Sequence, residues 1–151
     1  MKKILLIVIF SIVAFESFSQ IVEYLYGKYY IEDQPYTGVF TENYTNGNKK
    51  TEANISKGVL EGLTLMYFEN GKLKEQRSFK NGLKEGIWII WDSNQVKISE
   101  ARYKNDLKDG AWYIWHTNGK KSFEMFYEKG EKKGNWYMWD STGILLMEKK
   151  Y

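Results

Sequence analysis

The residues able to do acid–base or metal chemistry fall in two evenly spaced columns. One is Tyr44, Phe68, Asp92, His116 and Asp140, 24 residues apart, which sets two carboxylates on either side of the only histidine. Carboxylate and imidazole together are the raw material of a cation site or a proton relay. The other is Glu52, Gln76, Glu100, Glu124 and Glu148, with the same interval. Carboxylates roughly 6.5 to 9.5 Å apart suit inverting glycoside hydrolysis. If each unit is a pair of strands, however, successive members lie two strands apart, about 10 Å, and would have to bend inward to share a ligand. Any repeat generates such separations, and nothing makes one glutamate an acid and its neighbour a base. Asp92 and Asp140 therefore read as residues that begin turns and His116 as a strand end. No catalytic residue, metal ligand or cofactor is assigned, and the chain reads as a binding protein, not an enzyme.

Composition narrows the rest. The chain of 151 residues carries 22 Lys+Arg against 19 Asp+Glu, a net charge of +3. Only Arg77 and Arg102 are arginine, so bidentate recognition of phosphates or bases has little to work with, and a nucleic-acid partner is not expected. The absence of cysteine excludes disulfides, thiolate zinc sites and thiol nucleophiles. Six Trp, 12 Tyr and 8 Phe alongside 13 Gly and one Pro point to short strands and tight turns.

The glycines reveal the elements that must position these side chains. Gly38, Gly62, Gly86, Gly110 and Gly134 are 24 residues apart, and Gly47, Gly71, Gly119 and Gly143 keep the period with Gln95 in the missing place. Gly58, Gly82 and Gly130 form a third row, completed by Asp106. All six tryptophans lie in two further columns: Phe40, Thr64, Trp88, Trp112, Trp136, and Asn43, Tyr67, Trp91, Trp115, Trp139. Ile55, Phe79, Tyr103, Tyr127 and Tyr151 make another. Asn-Gly at 46–47, 70–71, 81–82 and 118–119 signals hairpin turns that need positive φ. Each unit is then two strands and two turns, and the chain is an all-β, elongated, single-layer antiparallel meander. Gln tolerates the left-handed conformation poorly, so the turn at Asn94-Gln95 should be strained or differently shaped. Alternation puts Trp112 and Ile114 on one face and Tyr113 and Trp115 on the other.

The units divide as 38–61, 62–85, 86–109, 110–133 and a partial 134–151. Residues 20–37 read as an N-terminal cap hairpin, built from Val22–Tyr26 and Lys28–Ile31 with Asp33-Gln34-Pro35 as a turn. Residues 1–19 read as a signal peptide: Lys2 and Lys3, an apolar run from Ile4 to Phe15, and Ser17 and Ser19 ahead of cleavage before Gln20. The expected product is exported to the periplasm or beyond the cell. It has no membrane span in the mature chain, because no later stretch approaches the roughly 20 apolar residues required.

The unit G-x-W-x-x-W-x-x-N-G-x-x-x-x-E-x-x-Y-x-N-G-x-x-x-G resembles the variant MORN repeat across residues 38–151. With the lead-in Gln34-Pro35-Tyr36-Thr37-Gly38, it is similar to bacterial proteins of the antitoxin-component-like family. The resemblance implies stacked antiparallel hairpins, a role in protein association or membrane-adjacent scaffolding, and no catalysis by the repeats.

The functional candidates are the aromatic columns. Trp88, Trp112 and Trp136 with Trp91, Trp115, Trp139, Tyr113 and Tyr137 form the expected binding surface, centred on residues 86–139. Two readings follow. One is an exported scaffold that binds a protein partner, as an immunity or antitoxin-like protein does. The other is an envelope-binding module whose tryptophan ladder stacks on glycan chains.

Overall fold

A computed structural model of the chain describes residues 21–151; the signal peptide expected over residues 1–19 lies outside them. Fifteen strands follow one another: β1 (Glu23–Leu25), β2 (Lys28–Ile31), β3 (Gln34–Pro35), β4 (Gly38–Asn43), β5 (Lys49–Ser56), β6 (Val59–Tyr67), β7 (Leu73–Lys80), β8 (Leu83–Lys84), β9 (Gly86–Trp91), β10 (Lys97–Lys104), β11 (Leu107–Lys108), β12 (Gly110–Trp115), β13 (Lys121–Glu128), β14 (Glu131–Trp139) and β15 (Leu145–Lys150). From β4 onward they form one antiparallel sheet in sequence order, with β8 and β11 as short pieces paired to β7 and β10. The fold is an all-β meander of hairpins in a single layer.

Two chemically different turns alternate along it. At Lys57-Gly58, Asn81-Gly82, Asn105-Asp106 and Lys129-Gly130 both residues have positive φ, as two-residue type I′ turns require. At the opposite strand ends only the second residue does, and its N–H closes on a carbonyl three residues back, as from Gly119 to His116 O at 2.9 Å. Gln95 departs from the expected difference in shape. Its turn makes the same bonds, Gln95 N–H to Asp92 O at 3.0 Å and Asp92 N–H to Val96 O at 2.9 Å. Strain is present at its φ of 69°. It is offset by a side-chain bond from Nε2 to Leu73 O, 2.8 Å away in the preceding unit.

The first-row glycines open strands β4, β9 and β12 or lie inside β6 and β14. At Gly110 φ is 97°, and a Cβ there would come within 3.1 Å of the Arg102 side chain. A register break spans Gly62 in β6 and Gly134 in β14 and marks the same bend in both strands.

The first three strands form a separate small sheet. The expected turn at Asp33-Gln34-Pro35 is instead at Glu32-Asp33, with φ of 48° and 63°, and Gln34–Pro35 is strand β3. Pro35 lies on the outermost strand of that sheet, a position where its missing N–H removes no ladder bond. The small sheet docks on Gly58, whose O accepts from Tyr29 N–H at 2.8 Å and whose N–H donates to Tyr36 O at 2.7 Å. A Cβ on Gly58 would sit 3.1 Å from Tyr29 O.

Burial follows from the single layer. Among the described residues the buried side chains are Ala53, Ile55, Thr64, Ser122 and Trp136, scattered along the sheet instead of gathered in a centre. Stability in such an array comes from contacts between neighbouring units.

Candidate binding faces of the sheet

Cross-strand register defines two continuous rows on opposite faces, because directly paired residues share a face and successive residues alternate. One row runs Thr41, Glu52, Leu65, Gln76, Ile89, Glu100, Tyr113, Glu124, Tyr137, Glu148. The next residue along each strand gives Glu42, Thr51, Met66, Glu75, Ile90, Ser99, Ile114, Phe123, Met138, Met147 on the other face. The eight aromatic candidates divide accordingly. Trp88, Trp112 and Trp136 belong to the second face; Trp91, Trp115, Trp139, Tyr113 and Tyr137 belong to the first.

The second face carries an interlocked ladder. Phe79, Trp88, Tyr103, Trp112, Tyr127, Trp136 and Tyr151 follow one another with ring centroids 4.7 to 5.3 Å apart and tilted planes. Such edge-leaning pairs contribute about 0.5–1.5 kcal/mol each beyond burial. The indole N–H groups of Trp88, Trp112 and Trp136 donate to Ser78 O, Arg102 O and Phe126 O at 2.9, 3.0 and 3.1 Å. Lys84, Lys108 and Lys132 each lie over two rungs: Trp88 and Tyr103, Trp112 and Tyr127, Trp136 and Tyr151. Burial pushes the Tyr103 phenol above its ordinary value of 10.0, against the opposing pull of Arg77. At the last rung burial also acts upward, but Lys132 and Lys149 outweigh it and bring Tyr151 below 10.0.

The first face carries ion pairs and looser aromatic couples. Lys49 bonds Glu52, Lys97 bonds Glu100 at 2.8 Å, and Lys121 bonds Glu124 at 2.5 Å. Glu148 accepts from Asn135 Nδ2 at 2.9 Å. Each charged member of the glutamate column thus has a partner, and the column is a row of salt bridges and hydrogen bonds. Tyr113 meets Trp115 at 5.7 Å, and Tyr137 stacks on Trp139 at 5.6 Å with planes 24° apart. Lys97 lies over Trp115; Lys121 lies over both Tyr113 and Trp139. Among the described residues the indole N–H groups of Trp115 and Trp139 donate to no protein atom, unlike those of the ladder. A shallow open hollow of 380 Å³ lies here, lined by Lys120, Lys121, Trp139, Thr142 and Gly143.

The histidine–aspartate column is built into turns. Asp92 Oδ1 accepts from Asn94 and Val96 N–H, both at 2.9 Å. Asp140 Oδ1 accepts from Thr142 Oγ1 at 2.7 Å and from Thr142 and Ile144 N–H at 2.8 and 2.9 Å. Those bonds, the hydroxyl first, hold the Asp140 carboxyl below its ordinary value. His116 is a half-buried link to the next unit: its Nε2 lies 3.0 Å from Trp139 O and, facing a carbonyl, must donate. Among the described residues no group of three or more His, Asp or Glu is placed to hold a metal ion.

Two periodic sets escaped the sequence reading although the period exposes them. Lys84, Lys108 and Lys132 each stand two residues before a first-row glycine. Glu61, Glu85 and Asp109 stand one residue before it and accept the N–H of Asn81, Asn105 and Lys129 at 2.6 to 3.1 Å, tying each type I′ turn to the preceding unit.

Comparison with known families places variant MORN repeats at residues 60–81 and 108–129, two repeat lengths apart. Between them lies the unit with Gln95 and Asp106, which keeps the same turns. The description matched is that of the repeat alone, and the antitoxin-like family implied by the sequence resemblance is not supported by it. No curated protein matches the chain. MORN repeats are generally protein- or membrane-binding modules and non-catalytic scaffolds. No helix among the described residues is long and apolar enough to cross a membrane.

Proposed function

We propose that the protein is an exported, non-catalytic repeat scaffold, with a cap over residues 20–37 and units from residue 38, that binds another protein through the aromatic surface of residues 86–139. The observation that carries this reading is the single layer. Rings occupy both faces of one sheet, so neither row is sealed beneath a second layer, and half-buried aromatics of this kind are the usual anchors of interfaces. The glutamate column, held by Lys49, Lys97, Lys121 and Asn135, argues for a static surface instead of a reaction centre. An immunity-like role, sequestering an exported toxin, is one form of this reading. The test is affinity capture with the full chain. A single protein recovered in stoichiometric amount, and lost on Ile114→Glu or Trp115→Ala, supports it; recovery of polysaccharide alone counts against it.

A second reading has its own support. The parallel Tyr137–Trp139 couple, the undonated indole N–H of Trp139 and the adjoining hollow suit a sugar ring stacked on the ion-pair face. Purified envelope polysaccharide should then quench tryptophan fluorescence, with the quench lost on Trp115→Ala or Trp139→Ala. An unchanged spectrum rejects it.

A further inference from the structure

The two faces treat their lysines differently. On the ion-pair face Lys49, Lys97 and Lys121 each have a glutamate. On the ladder face Lys84, Lys108, Lys132 and Lys149 lie over rings, and among the described residues none has a carboxylate within ion-pairing distance. Beside them runs the mainly apolar half of the second register row, Ile90, Ile114, Phe123, Met138 and Met147 with Ser99 as its one polar member, one residue per strand. Ile90 and Ile114 are 37% and 36% exposed despite their position in the middle of the sheet. Earlier in the same row stand Glu42, Thr51, Met66 and Glu75. Along this row the face therefore changes at β9 from mainly polar, with Glu42 paired to Lys50 and Glu75 to Arg77, to mainly apolar with unbalanced cations beside it.

We propose that the ladder face of residues 86–151 seats an acidic amphipathic α-helix of a partner protein, lying across the strands. This rests on the protein-binding reading above and names its face and the chemistry of its partner. Adjacent strands are about 4.8 Å apart, so the row offers a side chain at that interval and the lysines recur at about 10 Å. A helix rises about 1.5 Å per residue, which sets a/d positions about 5 Å apart and residues seven apart at about 10.5 Å. A carboxylate every seven residues beside an apolar stripe meets Lys84, Lys108 and Lys132 in turn. Met138 and Met147 adapt their shape to such a stripe. An anionic bilayer would match the charge, but it needs side chains that protrude into the acyl boundary. Here the tryptophans are held down by their bonds to Ser78, Arg102 and Phe126 carbonyls, and the face is a seat with no wedge.

The probe is a synthetic peptide of about three heptads with Leu at a and d and Glu at e, titrated calorimetrically into the full chain. A Lys-for-Glu counterpart and phosphatidylglycerol vesicles are run in parallel. The expected result is one-to-one binding of the Glu peptide that weakens with salt. It should fall at least about tenfold in the Lys108→Glu, Lys132→Glu double variant, which then binds the Lys peptide, a reversal that a misfolded chain cannot produce. Ile114→Glu should abolish binding and Lys121→Glu, on the opposite face, should leave it intact. Equal binding of both peptides, indifference to the double reversal, or binding of vesicles only would overturn the proposal. A captured protein complex that survives the double reversal but is lost on Trp115→Ala would overturn it while leaving the protein-binding reading in place.

Discussion

The two ends of the sheet solve the same packing problem with different side chains. From Phe79 to Tyr151 the ladder is an unbroken stack of seven rings with a lysine laid over every second junction. Before Phe79 the corresponding ring positions hold Phe40, Ile55 and Thr64, Leu60 stands in the lysine's place, and the stack is interrupted. Small side chains there let the sheet close tightly: Ala53, Ile55 and Thr64 are 1%, 3% and 4% exposed. The N-terminal end compensates by borrowing Tyr29 from the small sheet, which packs on Phe40 at 5.3 Å. Large rings thus give continuity between units, and smaller residues give burial within one. Continuity leaves a broad face half open, which is what a binding surface needs.

The contrast is most directly broken at Trp136, which is buried between Tyr127 and Tyr151. Trp136→Ala should cost about 3–5 kcal/mol in urea unfolding. Phe40→Ala, which removes a ring outside the continuous stack, should cost less; equal losses would erase the distinction between the two ends. A gain is expected at Thr64, whose buried Oγ1 has no hydrogen-bond partner among the described residues. Thr64→Val keeps the shape and removes an unsatisfied hydroxyl, so stability should rise by about 1 kcal/mol. A loss there would mean the hydroxyl is satisfied. Gln95→Gly relieves a left-handed conformation costing about 1 kcal/mol and gives up an exposed bond, for a net gain of about 0.5 kcal/mol in the same assay.

The smallest effect compares two rungs of one ladder. Tyr103, raised above 10.0 by burial, contributes stability that is complete below pH 10 and is lost as pH rises through its folded value, since the unfolded chain ionises first. Tyr151, an exposed ring lowered by Lys132 and Lys149 against partial desolvation, has the opposite sign: its contribution is complete above 10 and is lost as pH falls through its folded value. Phenolate absorbance should therefore show Tyr151→Phe removing the earliest step of the alkaline titration and Tyr103→Phe a late one. The reverse order would contradict the ladder's arrangement.

Much of this was legible in the chain. The Asn-Gly pairs at 46–47, 70–71, 81–82 and 118–119 announced turns with positive φ, and Asp92 and Asp140 announced turn starts, because those features depend on the φ and hydrogen-bonding preferences of single residues. Less legible was the turn at Gln95, where a side-chain bond to Leu73 of another unit sustains a conformation its own preferences oppose. His116 looked like a solvated strand end because its acceptor, Trp139 O, lies 23 residues away.

The sequence by itself determined the period, the strands, the turns and the columns of tryptophan, since periodicity and local backbone preference are written residue by residue. Only the tertiary structure decided which columns face each other and which charges cancel. Lys121 and Lys132 are alike as residues. Register sets the first beside Glu124 and the second over Trp136 with no acid in reach among the described residues, because pairing across strands selects neighbours that no spacing along one strand can name.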